Sequence, residues 1–173
     1  MQYQEIESEL IRMKEAVHDQ RLANPQNADA HDDLIDRSNS KRLGEIISVM
    51  GWPTISKVGA DGASAAWIIA LYADHDPEFQ KYCLRVMQRL SPDEYEGMHL
   101  AYLEDRVRMN HGKPQLYGTQ LTTQGSDVIP RPIENPETVD ERRRALGLES
   151  LSEAVARFKE RYRGFCMQLI GAS

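Results

Sequence analysis

Cysteine is nearly missing from this chain: Cys83 and Cys166 are the only two among 173 residues. Both fall in stretches with helical, apolar neighbours, which suits a pair of buried free thiols rather than a disulfide framework. Long apolar runs are missing as well. Met1-Gln2-Tyr3-Gln4-Glu5 lacks the basic start and apolar stretch of a signal peptide, and no segment reaches the length that crosses a bilayer. A cytoplasmic protein that does not associate with membranes is expected. Basic charge is in deficit, with 21 Lys and Arg against 27 Asp and Glu. Sequence-independent binding of nucleic acid needs a cationic face to neutralise phosphates, so no nucleic-acid partner is expected.

Several chemical signatures are absent too. No Gly-rich phosphate loop, dinucleotide fingerprint or Gly-x-Ser-x-Gly elbow occurs, which removes the usual nucleotide, Rossmann and hydrolase-fold readings. Asp74-His75-Asp76 and His31-Asp32-Asp33 invite a metal, but neither has a ligand spacing such as His-Glu-x-x-His or paired Cys-x-x-Cys. Asp76 has sufficient work as a helix cap. Neither a metal nor a cofactor is expected.

What is present is mostly helix signal. Ile6, Leu10, Met13 and Val17 recur at helical spacing between about Gln2 and Leu22, and Asn24-Pro25 ends that run. Residues 25–38 read as polar and irregular. Asn39 or Ser40 is expected to cap a helix carrying Leu43, Ile46, Ile47 and Met50, with Gly51 as its stop. Gly59 to Gly62 is a break before a small, apolar helix over 63–73, and Asp76-Pro77 starts another with Phe79, Cys83, Val86, Met87 and Leu90. Ser91 to Glu94, Thr138 to Glu141 and Ser150 to Glu153 read as capping boxes. The last helix is expected to bury Leu151, Val155, Phe158, Phe165 and Leu169. Between these, Arg106 to Met109 and Gln115 to Leu121 read as a hairpin across Asn110-His111-Gly112-Lys113-Pro114, with Val128 to Ile133 as an edge strand. The expected fold is mainly α (α+β), a single domain over 1–173 with six or seven helices and a small antiparallel hairpin or three-stranded sheet.

Gln115-Leu116-Tyr117-Gly118-Thr119-Gln120 concentrates polar side chains beside a glycine that allows close backbone approach or positive φ. The alternative to a ligand site is a strand whose side chains satisfy neighbouring backbone. Asp105 and Arg106 are adjacent on a helix and should reach separate partners. Residues 1–100 hold 10 Lys and Arg against 17 Asp and Glu, whereas 101–173 hold 11 against 10, which makes the C-terminal part the candidate home of an anionic ligand. Arg106 and Arg143 are its candidate clamps, while surface charge is the commoner account of the Arg142 to Arg144 run. Trp52 and Trp67 read as core.

Four landmarks carry a resemblance: Gly51-Trp52-Pro53; Trp67 with Ala73-Asp74, Asp76-Pro77 and Phe79-Gln80; Leu103 with Asp105-Arg106; and Tyr117-Gly118-Thr119-Gln120. Over roughly residues 40–150 the chain resembles the bacterial proteins grouped as domain of unknown function 6624. The resemblance implies a largely helical domain with a polar site built from these motifs, and it brings no established reaction. The pattern commonly places Gln-His before Ala73-Asp74, whereas this chain has Leu71-Tyr72. A phenol is a poor base at neutral pH but can donate a hydrogen bond or act as an acid.

The expectation is a small cofactor-independent enzyme acting on a polar, anionic small molecule by proton-transfer-assisted cyclisation, elimination or hydrolysis. Asp105 would be the base, Tyr72 or Tyr117 an acid, Arg106 and Arg143 anion clamps, and Gln115, Thr119 and Gln120 substrate-orienting groups. Tyr72, Asp105, Arg106, Tyr117, Thr119 and Gln120 are expected to line one concavity. The alternative is a non-enzymatic ligand-binding or immunity-type interaction module, in which the acidic N-terminal part meets a basic partner. A homo- or hetero-oligomer is compatible with either.

Overall fold

The computed structural model describes residues 3–23, 34–124 and 127–170, with the side chains of 22–23 and 161–170 left aside. Among them are seven α-helices and one two-stranded antiparallel sheet, a mainly α fold with a small hairpin. None of the described helices is long and apolar enough to cross a membrane. The chain divides into two compact units, Met1–Leu103 and Glu104–Ser173.

The N-terminal unit holds α1 (Tyr3–Ala23), α2 (Leu34–Met50), α3 (Ile55–Leu71), α4 (Pro77–Met87) and the first half of α5 (Gly97–Asn110). Its core is apolar. Ile6, Leu10 and Val17 of α1 are buried with Leu43, Ile46 and Ile47 of α2 and with the alanine-rich face of α3. Small side chains at Ala63, Ala66 and Ala70 fit the close approach of α3 to α1. The expected break near Gly59 is a kink inside α3, where Gly59 takes φ 68°. Asp76 caps α4 by accepting from the Phe79 N–H at 3.0 Å. Cys83 is buried and free, and desolvation pushes its thiol well above the usual range, so it serves as core.

α2 begins at Leu34, five residues before the expected cap at Asn39. Tertiary partners explain the difference, because the polar residues read as loop or cap are satisfied from within a helix. Asp36 pairs with Arg21 at 3.0 Å, Asn39 donates to the Met13 carbonyl at 3.1 Å, and Ser40 Oγ lies 2.9 Å from His75 Nε2.

The C-terminal unit holds the rest of α5, a hairpin of β1 (Leu121–Gln124) with β2 (Asp127–Pro130), α6 (Val139–Ala145) and α7 (Leu151–Ile170). The hairpin is displaced from its expected place. Arg106 to Met109 is the end of α5, and the Asn-His-Gly-Lys-Pro stretch is a helix stop: Lys113 N–H reaches the Arg108 carbonyl and Gly112 N–H the Met109 carbonyl, with Gly112 at φ 68°. A glycine between polar residues serves a hairpin turn and a helix stop equally, and here the helix wins. Gly147 stops α6 by the same bonds. The expected edge strand is present as β2, extended by a parallel bridge between Gln115 and Ile133. Ser150 and Glu153 form the full capping box of α7, whereas Ser91 and Thr138 make no side-chain cap bond. Phe158 is 44% exposed rather than buried, while Leu151 and Val155 are half-buried. The side chains of Phe165, Cys166 and Leu169, and the His31-Asp32-Asp33 run entirely, fall outside what is described.

Candidate functional site

Asp105, Arg106, Gln115, Tyr117, Thr119, Gln120 and Arg143 are brought together in the C-terminal unit, and their polar atoms are bonded to one another. Asp105 is fully buried and its carboxylate accepts four hydrogen bonds. Oδ1 takes the N–H groups of Leu116 at 2.7 Å and Tyr117 at 3.0 Å; Oδ2 takes the Thr119 N–H and hydroxyl, both at 2.9 Å. A carboxylate offers roughly four acceptor positions, so Asp105 is saturated by the loop it organises.

The carbonyls of the same peptides face guanidinium groups. Arg142 Nε donates to the Leu116 carbonyl at 2.7 Å, and Arg143 Nη1 to the Tyr117 carbonyl at 2.6 Å. Leu116 and Tyr117 are therefore held from both sides, by an anion on their donors and cations on their acceptors. Arg143 is buried, and its Nε is occupied by the Glu149 carbonyl at 2.7 Å. Arg142, read from sequence as surface charge, is a second clamp on the loop. The buried Gln115 amide works as a spare peptide group: Oε1 accepts from Gln120 N–H at 2.7 Å, and Nε2 donates to the carbonyls of Gln120 and Arg131. Gly118 takes φ 66°, and a Cβ there would lie 2.7 Å from Ile133 Cδ1 and 2.9 Å from Leu151 Cδ1.

Asp105 and Arg106 do reach separate first partners, yet a chain of bonds joins them. Arg106 Nη1 donates to Gln120 Oε1 at 3.0 Å, Gln120 Nε2 donates to Thr119 Oγ1 at 3.1 Å, and the Thr119 hydroxyl donates to Asp105.

Tyr72 belongs to the N-terminal unit. The Arg21 guanidinium lies 3.7 Å from the centre of its ring while pairing with Asp36, so the Tyr72 ring is a stacking surface for a paired cation. Three residues on, His75 Nε2 lies 2.9 Å from Ser40 Oγ. This pair forms a wall of an open groove of about 340 Å³, lined also by Arg37, Lys41, Gly44, Asp76 and Phe79. Arg37, Ser40, Lys41 and Gly44 follow the i, i+3, i+4, i+7 pattern that puts side chains on one helix face. That stripe was the available signal in the sequence: Ser40, Lys41 and Gly44 lay on the expected helix, and Arg37 fell in the 25–38 stretch read as irregular, of which 25–33 lie outside the described residues.

Trp52 and Trp67 are core residues, as their apolar surroundings suggested. Trp67 stacks on His99 at 4.1 Å between ring centres, and burial lowers the His99 pKa to about 4. Among the described residues no group of three or more His, Cys, Asp or Glu side chains is placed to share an ion.

The chain belongs to a family of unknown function, DUF6624, whose model matches residues 5–167, a wider span than the 40–150 suggested by the motifs. No curated protein and no solved structure matches it.

Proposed function

We propose that this member of the family is an enzyme that binds a small anionic molecule in the groove beside α2 and carries out a proton-transfer-assisted cyclisation, elimination or hydrolysis, with His75 as the group that takes and returns the proton. The observation that carries this reading is the 2.9 Å contact between His75 Nε2 and Ser40 Oγ in a groove whose rim has Arg37 and Lys41. The Ser40 hydroxyl has one proton and two acceptors in reach, the Arg37 carbonyl at 3.1 Å and His75 Nε2. When it serves the carbonyl, Nε2 must carry the imidazole proton, which leaves Nδ1 basic; when it serves Nε2, the serine oxygen is the polarised atom. Either arrangement supports transfer of one proton to or from a bound substrate. Lys41 and Arg37 would hold an oxyanion and stabilise charge that develops on it.

This reading gives Asp105 a positioning role. As a base, its carboxylate would have to release one of the four donors that hold the Leu116 to Thr119 loop. Arg106, Arg143, Gln115, Tyr117, Thr119 and Gln120 would likewise keep that loop in shape, and Tyr72 would hold Arg21.

A second reading, an interaction module without turnover, is favoured by Val49, 82% exposed in a small, mostly apolar dent with Tyr3, Ile6, Ile46 and Met50, edged by Arg42 and Glu45. The two separate by experiment. Anionic carboxylates and phosphate monoesters that carry a hydrolysable bond, a β-leaving group or a nucleophile placed to cyclise are assayed with the wild type, His75→Gln and Lys41→Glu, alongside calorimetric binding of the same anions. The enzyme reading expects turnover that His75→Gln abolishes while binding persists, and binding that Lys41→Glu weakens. Binding without turnover anywhere in the panel supports a ligand-binding module, and failure of every anion to bind overturns the groove as a site.

A further inference from the structure

We propose that Ser40 is a nucleophile, which takes the acyl group of carboxylic esters that also carry an anionic group, so that hydrolysis runs through an acyl ester on Ser40 Oγ. The inference rests on the groove reading above, in which His75 moves the proton. It selects hydrolysis among the three reactions and names the substrate class.

Ser40, inside α2, and His75, in the turn between α3 and α4, meet at 2.9 Å in the groove wall. A hydroxyl at that distance from an imidazole is the arrangement in which the base takes the proton as the oxygen attacks. A tie between two elements needs only the bond; a nucleophile also needs its base held in place and its oxygen within reach of the substrate. The turn that carries His75 is held from both ends. The fully buried Gln80 amide donates to the carbonyls of Ala70 at 3.2 Å and Leu71 at 2.9 Å, where α3 ends, and to Asp74 Oδ1 at 3.3 Å, while Asp76 caps α4. Among the described residues no group bonds His75 Nδ1, so the ring can carry its proton there and present Nε2 as the acceptor of the Ser40 hydroxyl. Ser40 is 6% exposed and lines the open groove, so its oxygen is met from the groove side.

The charges around the pair point to the substrate. Arg37 and Lys41 put two cations on the groove and Asp76 one carboxylate. An ester carbonyl is neutral before attack, so one cation can hold a carboxylate elsewhere on the molecule while the other meets the alkoxide that develops. A phosphate monoester carries its negative charge on the attacked group itself, where it engages both cations before the reaction and repels the incoming oxygen. In the first step Ser40 Oγ bonds to the ester carbon as its proton passes to His75 Nε2. The tetrahedral alkoxide then collapses, the bond to the leaving oxygen breaks, and that oxygen takes the proton from Nε2. A water gives a proton to Nε2 and attacks the acyl ester; the acid leaves as the proton returns to Ser40.

The test begins with diisopropyl fluorophosphate on the full chain, where the Oγ–P bond forms, fluoride leaves and His75 takes the proton. The expected result is an adduct that peptide fragmentation places on Ser40 rather than Ser38, formed at least about a hundredfold more slowly in His75→Gln and absent there in Ser40→Ala. Thermal unfolding of the same samples checks the variants; if Ser40→Ala does not fold, the mapped wild-type adduct still decides, and His75→Asn replaces a His75→Gln that does not fold. No adduct on Ser40 in the folded wild type, or labelling indifferent to the loss of His75, overturns the nucleophile. The substrate class is read from kcat/KM for 4-acetoxybenzoate and phenyl acetate, each relative to its rate in buffer. The anionic ester is expected to exceed the neutral one by about tenfold or more, a margin that Lys41→Glu removes, and equal values overturn the class. Turnover of an anionic substrate that survives in Ser40→Ala but is lost in His75→Gln overturns the inference and keeps the proton-transfer reading. Failure of every anion to bind or react removes both.

Discussion

The two units are held together by opposite means. In the N-terminal unit Leu10, Leu43, Trp52, Met87 and Leu103 are essentially inaccessible, so apolar packing carries the fold and a few polar groups, Ser40 and His75 among them, stand at a groove. In the C-terminal unit the buried positions include Asp105, Gln115 and Arg143 beside a short list of valines, and the connecting loop is tied by charge-assisted bonds. Density of polar residues therefore distinguishes the two poorly. What the polar groups bond distinguishes them better: the C-terminal cluster is bonded to its own backbone, and in the N-terminal unit Ser40 and His75 meet each other at a groove.

The largest test of that contrast is Asp105→Asn. The amide nitrogen would replace an oxygen that takes two of the four donors, so a loss of about 3–5 kcal/mol is expected in urea unfolding. Loss below about 1 kcal/mol would show that the loop does not depend on the carboxylate. Gly118→Ala comes next, at about 2–4 kcal/mol, from the left-handed φ of 66° together with the 2.7 Å approach to Ile133. A smaller effect belongs to the N-terminal unit. His99 has a folded pKa of about 4, below the ordinary value of a free histidine, so the unfolded chain takes up its proton first as pH falls. Its contribution is fully present above about pH 6.5 and is lost as pH falls through about 4, and the part lost between pH 7 and pH 4.5 is roughly 2 kcal/mol. Comparing unfolding at pH 7 and pH 4.5 in the wild type and His99→Gln isolates that slope; equal slopes would contradict it. The smallest effect runs the other way. Gly44→Ala should stabilise the fold by about 0.5–1 kcal/mol in urea unfolding through helix propensity, its Cβ meeting Phe79 Cε2 at 3.4 Å, and a loss of stability would contradict it.

Much of the helical frame was legible because its signals are local: the spacing of Ile6, Leu10 and Val17, the Asp76-Pro77 start of α4, and Gly51 and Gly147 as stops. The misplaced features share a cause. Asn39 and Ser40 look like caps because their partners, Met13 and His75, are 26 and 35 residues away. The turn signal at Asn110 to Pro114 is ambiguous between hairpin and helix stop until Arg108 and Met109 are seen to supply the carbonyls. The cluster from Gln115 to Gln120 was visible as a cluster, but whether its groups face a ligand or one another depends on where Asp105, Arg142 and Arg143 meet it, and no periodicity encodes that.

The most direct measurement is an amide-detected NMR titration of the wild-type protein with benzoate. The account predicts saturable shifts concentrated at residues 37–44 and 75–79, with the amides of Leu116, Tyr117 and Thr119 unmoved because Asp105 already holds them. Shifts centred on 115–120, with residues 37–44 silent, would contradict it and return the site to the C-terminal motif.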